Sequence, residues 1–149
     1  MPVIRPATAG DITHLVDWNA AMAEETEGKT LDRTVLARGV SAVLDDPARG
    51  FYLIAEETGT PLGGLMVTRE WSDWRNGDFW WLQSVYVRPE ARGRGIFSAL
   101  FAAVETRARE AGAVGLRLYV ERDNTRAQRV YAARGMSPTA YHLYEIGFD

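Results

Sequence analysis

Between Val85 and Val120 the chain reads as a strand, a turn, a helix and a second strand. Val85 and Val87 alternate with Tyr86 in a β-branched and aromatic run, as a half-buried strand does. Pro89 ends the run because it has no N–H to give to a ladder. Arg92, Gly93, Arg94 and Gly95 then open a helix whose apolar face is Ile96, Leu100, Phe101 and Val104. Gly112 is placed to cap that helix, and Gly115–Val120 is the returning strand. Strands joined across a helix run parallel. An all-helical or simple meander fold is therefore excluded.

The remaining chain supplies the other layers. Val3–Ala7 predicts a short first strand, and Thr8 with Asp11 three residues on suits the start of a helix made amphipathic by Ile12, Leu15, Val16, Trp18 and Ala21. Glu24, Glu25, Glu27 and Lys29 interrupt that pattern and read as a solvated loop before a second helix at about 32–44. Gly28-Lys29-Thr30 imitates the end of a nucleotide P-loop, but position 23 is alanine where that motif needs glycine. Phe51–Glu57 and Leu62–Arg69 form a hairpin about Thr58-Gly59-Thr60-Pro61, with Gly63 and Gly64 predicting a bulge or a close backbone approach. A polar loop with Trp71 and Trp74 follows, turned at Asn76-Gly77, and leads into an aromatic-rich fourth strand, Phe79–Val87. Asn124 caps a last helix ended by Gly135, and Thr139–Ile146 is predicted as a final strand, with Tyr141 and Leu143 on one face and His142 and Tyr144 on the other.

At 149 residues the chain is expected to form one domain, residues 1–149, able to bury a real core. Its net charge of −3 gives no general affinity for nucleic acid or an anionic membrane. Without cysteine there is no disulfide, thiol nucleophile or thiolate metal site, and two histidines make a zinc site improbable; no metal is expected. No apolar run approaches a membrane span and no signal-peptide pattern opens the chain, which points to the cytoplasm. One lysine, Lys29, stands against sixteen arginines, a skew to which the residues alone attach no role.

A helix start holds unpaired N–H groups and a partial positive charge, so it suits an anion. Gly93 and Gly95 let backbone come close to a bulky diphosphate, and Arg92 and Arg94 add cationic donors. A plain strand-to-helix turn with solvent-facing arginines is the other reading of these residues.

In its order of parts, V-x-P-x-x-R-G-x-G-I after a strand and before an amphipathic helix, this segment resembles the acetyl-CoA-binding segment of the GCN5-related N-acetyltransferase (GNAT) family. The family pattern, Gln/Arg-x-x-Gly-x-Gly/Ala, reads Arg92-x-x-Gly95-x-Phe97 here, and Phe97 departs from it. Asn124-x-x-Ala127-x-x-x-Tyr131-x-x-x-Gly135-Met136 is similar to a second family motif, N-x-x-A-x-x-x-Y-x-x-x-G-F, with Met136 the departure. The Ile4-Arg5…Asp11 opening also matches. The resemblance implies an α/β (α+β) fold: a central mixed, mostly antiparallel sheet, helices on both faces and a splayed parallel strand pair. It implies acetyl-CoA as co-substrate, held by Arg92, Gly93, Arg94, Gly95, Ile96 and Phe97 at the diphosphate, by backbone of Val85, Tyr86 and Val87 at the thioester, and by Asn124. It implies an amine acceptor as partner, with no nucleic acid or membrane, and leaves room for a homodimer.

The implied reaction is acetyl transfer to a primary amine of a small molecule or a protein. An alkyl amine with a pKa of about 10 must lose a proton before it attacks. The leaving thiolate needs a donor, and by resemblance that is the hydroxyl of Tyr131. Many family members carry a glutamate on the fourth strand; Phe79-Trp80-Trp81-Leu82 has none. Glu70, Glu25, Glu27, Asp78, Glu121 and a relayed water are the candidate bases. A non-catalytic acyl-CoA-binding module is the competing class, since it would need the loop but neither tyrosine nor base. Trp71 and Trp74 suit an acceptor pocket for apolar or cationic amines, or else packing beneath the loop or a dimer contact.

Overall fold

The computed structural model describes residues 1–148. The chain divides into two compact units, one of Met1–Leu118 and one beginning at Tyr119. In the first unit, β1 (Val3–Pro6), β2 (Phe51–Glu57), β3 (Thr60–Ser72), β4 (Gly77–Val87) and β5 (Gly115–Arg117) form one sheet in the order β1-β2-β3-β4-β5. Every pair is antiparallel except β4 with β5, which the crossover helix α3 (Ile96–Glu110) makes parallel. Helices α1 (Ile12–Glu27) and α2 (Arg33–Asp45) precede β2.

Alternation along β2 sorts the core into two layers. Tyr52 and Ile54 join Leu15, Val16 and Trp18 of α1 and Val40 of α2 in one buried cluster. Leu53 and Ala55, between them, project to the other face, the side on which α3 buries Ile96, Leu100 and Val104. Helices thus cover both faces of the sheet. Tyr86 completes the first cluster, its ring stacked 6.4 Å from that of Trp18.

Gly63 and Gly64 are explained by close approach. A Cβ on Gly63 would lie 2.6 Å from the Tyr86 carbonyl oxygen, and one on Gly64 would lie 2.8 Å from that of Leu53. One bulge does fall beside them in β3, at Leu62, because Ala55 opposes Gly63 while Glu56 opposes Pro61. A second falls on the partner strand: Gln83 opposes Met66 and Tyr86 opposes Gly64, so Ser84 and Val85 together face Leu65. Ser84 takes a φ of 52°, the left-handed region that costs a side chain energy.

Several boundaries differ from the sequence reading. The acidic residues Glu24, Glu25 and Glu27 lie in the last turn of α1, which continues to a left-handed Gly28 cap. The i, i+4 ladder needs no apolar face, so the loss of amphipathic pattern did not end the helix. Lys29 follows, its Nζ 3.2 Å from Glu27. The tryptophan loop is shorter than expected: β3 runs through Trp71, paired opposite Asp78, and only a turn about Asp73–Asn76 remains. β5 pairs for three residues rather than six.

The second unit holds α4 (Thr125–Ala133), closed at Gly135 (φ 90°), where the Met136 N–H returns to the Tyr131 carbonyl at 3.2 Å. The expected final strand over Thr139–Ile146 does not form. Thr139 folds back instead, its hydroxyl oxygen accepting from the Tyr141 N–H at 3.2 Å, a local bond that competes with ladder pairing. Tyr141, Leu143, Tyr144 and Ile146 are exposed. Among the described residues no helix is long and apolar enough to cross a membrane.

The chain's start is held by charge. Arg5 on β1 donates two hydrogen bonds to buried Asp11, at 2.8 and 2.9 Å, and reaches Glu56 on β2 at 3.1 Å. Asp11 also accepts from the Thr8 N–H at 2.8 Å. The Arg5 guanidinium, opposed by burial, holds the Asp11 carboxyl below its usual range. Asp11→Ala should cost about 2–3 kcal/mol, at the lower edge of values for breaking a buried pair because Arg5 keeps some solvent. A group whose folded pKa is depressed contributes stability above its unfolded value of about 4 and loses it as pH falls through the folded value. Urea unfolding of wild type should therefore show a stability loss below about pH 4 that is smaller in Asp11→Ala.

Candidate functional site

β4 pairs with β5 only from Phe79 to Trp81. Beyond Trp81, the six residues from Leu82 to Val87 stay bonded to β3 but lose β5, so one edge of β4 carries backbone donors and acceptors that no strand of this sheet takes up. The Ser84–Val85 bulge, in the ladder with β3, sits in this stretch. This is the splay expected between the parallel strands, and Val85, Tyr86 and Val87 lie along it.

A short turn, Pro89–Ala91, carries the chain from β4 to Gly93 and Gly95, whose φ angles are 78° and 81°. A Cβ at either glycine would meet nothing within 4 Å. The ground above the loop is therefore open, and the glycines are required by backbone conformation rather than by crowding. Gly95 stands at the N-cap of α3 and offers no side chain to accept from the helix's first turn. Ile96 is buried and anchors the helix, while Phe97 is half-buried with its ring 5.9 Å from Phe101, its i+4 neighbour. Phe97 thus packs along α3 instead of leaving the gap a glycine or alanine would. An open, glycine-lined helix start flanked by arginines has the chemistry to hold a diphosphate.

The two arginines are engaged. Arg92 donates from Nε to the Val87 carbonyl at 2.9 Å and from Nη2 to Glu25 Oε2 at 2.9 Å. Its guanidinium carbon lies 5.3 Å from the centre of the Tyr86 ring, and the Tyr86 hydroxyl donates to Glu25 Oε1 at 3.1 Å. Burial first, and then the bond to Glu25, pushes the Tyr86 phenol up. Arg94 donates to Glu57 Oε1 at 2.8 Å. No spacing in the sequence signalled either partner.

The candidate bases are disposed very differently. Glu70 Oε1 accepts from Trp81 Nε1 at 3.1 Å and from Arg117 at 2.7 Å, and these two donors hold its carboxyl low. Such a carboxylate is a poor proton acceptor. Arg117 also stacks over Phe79, 3.6 Å from the ring centre. Glu27 pairs with Lys29, and Glu25 is shared by Tyr86 and Arg92. Asp78 faces Trp71 across the β3–β4 ladder, and its carbonyl accepts from Val114. Glu121 caps locally through its carbonyl, which accepts from Asn124. Trp71 and Trp74 are 62% and 87% exposed, which excludes packing beneath the turn. A shallow groove runs along α2 between Arg33 and Asp45, and none of its residues belongs to either motif.

In the second unit, Asn124 Oδ1 accepts from the Ala127 N–H at 3.1 Å, so the motif's asparagine is the cap of α4. The cap uses its oxygen and not its amide nitrogen. Tyr131 follows seven residues later, two helical turns on, along the same side of α4. Burial pushes its phenol up, so it stays protonated through the neutral range.

The acetyltransferase (GNAT) family model matches residues 12–136. The chain is 32% identical over 127 residues to a mycothiol acetyltransferase of Corynebacterium aurimucosum, a match covering 83% of this chain and 42% of that protein. It thus spans less than half the length of that curated relative. The crystal structure of a possible acetyltransferase from Clostridium difficile 630 superposes with a TM-score of 0.93 at 40% identity, covering 100% of this chain and 99% of the other. A GCN5-related N-acetyltransferase from Ralstonia eutropha JMP134 shares the fold at a TM-score of 0.79 and 24% identity, covering 98% and 99%. With the splayed strand and the glycine–arginine loop, these matches lead to one identification: the chain belongs to the acetyltransferase (GNAT) family.

Proposed function

We propose that this protein transfers the acetyl group of acetyl-CoA to a primary amine, by direct attack of the amine on the thioester. The observation that carries the reading is a β4 edge that β5 leaves unpaired beyond Trp81, followed directly by a glycine-opened start of α3 with open space over Gly93 and Gly95. A pantetheine arm can bond to backbone along Val85–Val87 while its diphosphate meets the N–H groups at Gly93–Phe97 and the cations of Arg92 and Arg94. Acetyl-CoA supplies the activated acyl carbon; the new C–N bond replaces the C–S bond.

The protein's part is binding, orientation and proton handling. Backbone N–H groups at the bulge are donors for the charge that develops on the thioester oxygen. Tyr131, protonated at neutral pH, is the donor for the departing sulfur, and the Asn124 amide the contact for the arm. A relayed water fits the role of base better than Glu70, whose carboxyl is held low. The named activities of the Corynebacterium and Clostridium proteins support acetyl transfer in general, for an acceptor amine on a small molecule or a protein. Trp71 and Trp74, exposed at the β3–β4 turn, are an aromatic surface suited to a cationic amine.

Two experiments test this reading. Gly95→Val places a branched side chain at φ 81° in open space, a backbone strain of about 1–2 kcal/mol that leaves the fold intact. Calorimetry should show acetyl-CoA binding lost or strongly weakened; unchanged affinity would place the cradle elsewhere. Tyr131→Phe removes one hydroxyl. Thiol release from acetyl-CoA, assayed across amines, amino acids and peptides, should fall by about 10²-fold or more with acetyl-CoA affinity little changed. A wild-type chain that binds acetyl-CoA yet releases no thiol with any amine would instead be a binding module.

A further inference from the structure

Arg92 opens the loop motif, yet its guanidinium is already committed at three points: the Val87 carbonyl, the Glu25 carboxylate and the face of Tyr86. Glu25 comes from the last turn of α1, 67 positions away in sequence. Its two oxygens divide between Arg92 and the Tyr86 hydroxyl, so one carboxylate ties α1, β4 and the loop together. Both members of the ion pair are substantially exposed, at 39% and 41% of side-chain area. An exposed pair is weak enough for a doubly charged anion to displace.

Resting on the acetyl-CoA reading above, we propose that Glu25 is a positioning residue of the coenzyme site: it holds Arg92 across Tyr86 and competes with the coenzyme diphosphate for that guanidinium. The diphosphate gains the cation only as Glu25 releases it. Coenzyme affinity is then lowered by the fraction of molecules in which the latch is closed. The bond from Tyr86 to Glu25 remains when Arg92 leaves, so α1 stays registered on β4 while the loop is freed. Arg94 has a similar partner in Glu57, but that pair lies apart from Tyr86 and serves as a comparison.

The test is calorimetry of coenzyme A with wild type, Glu25→Gln, Glu25→Asp and Glu57→Gln. Glu25→Gln keeps the size and an oxygen acceptor for Tyr86 but removes the charge that holds Arg92, so coenzyme A should bind about three- to fivefold more tightly. Glu25→Asp, charged but one methylene shorter, should fall between, and it serves if the glutamine variant does not fold. The second readout is the Tyr86 ring resonance in tyrosine-labelled protein, assigned with Tyr86→Phe. Coenzyme A should move it in wild type and in Glu57→Gln by drawing off Arg92, and should move it much less in Glu25→Gln. Equal or weaker binding by Glu25→Gln, or a Tyr86 shift independent of Glu25, overturns the latch. A wild-type chain that binds no coenzyme A overturns the acetyl-CoA reading as well, whereas one that binds it no less tightly than Glu25→Gln overturns the latch alone.

Discussion

A β-bulge breaks the pleat of a strand locally, and in β4 it falls at Ser84, just past the end of the β5 pairing. The left-handed φ of that serine and the extra residue facing Leu65 re-aim the rest of the strand. β4 remains zipped to β3 and gives up β5, which leaves a row of backbone groups beside a helix start with donors of its own. The strain is held in place by packing: Tyr86 is pinned beneath Trp18, and Gly63 and Gly64 let β3 come close enough to β2 and β4 for the ladders to survive the irregularity.

The loop that follows is built on a balance of weak charges. Arg92 and Arg94 each have a carboxylate partner from another element, Glu25 and Glu57. A loop whose arginines are paired with internal carboxylates is less cationic than its sequence suggests. The contrast with Glu70 is instructive. That carboxylate also has two donors, which hold it low, whereas Glu25 shares its oxygens between a cation and a phenol that remains protonated.

How far the sequence carries follows from the range of the interactions. Local signals served well: the glycine–arginine loop, the caps at Asn124 and Gly135, the hairpin, whose turn is Thr58-Gly59 alone rather than the four residues through Pro61, and the parallel crossover all rest on residues a few positions apart. Gly63 and Gly64 announced a close approach, but part of the irregularity falls on the opposite strand at Ser84, where no glycine marks it. Alternation at Thr139–Ile146 looked like a strand because pattern reports what side chains could do; a ladder also needs a partner, and Thr139 bonds locally. The Glu25–Arg92 contact spans 67 positions, and no periodicity links them.

The basic residues have a chemical consequence of their own. Sixteen of the seventeen are arginines, and a guanidinium that keeps its proton at any physiological pH has no lone pair to offer a thioester. Lys29 is the single side-chain amine, set just past the left-handed turn at Gly28 and paired with Glu27. A surface whose cations are almost all guanidinium groups thus offers an acyl donor few amines of its own, and amine chemistry at such a surface depends on an amine that is brought to it.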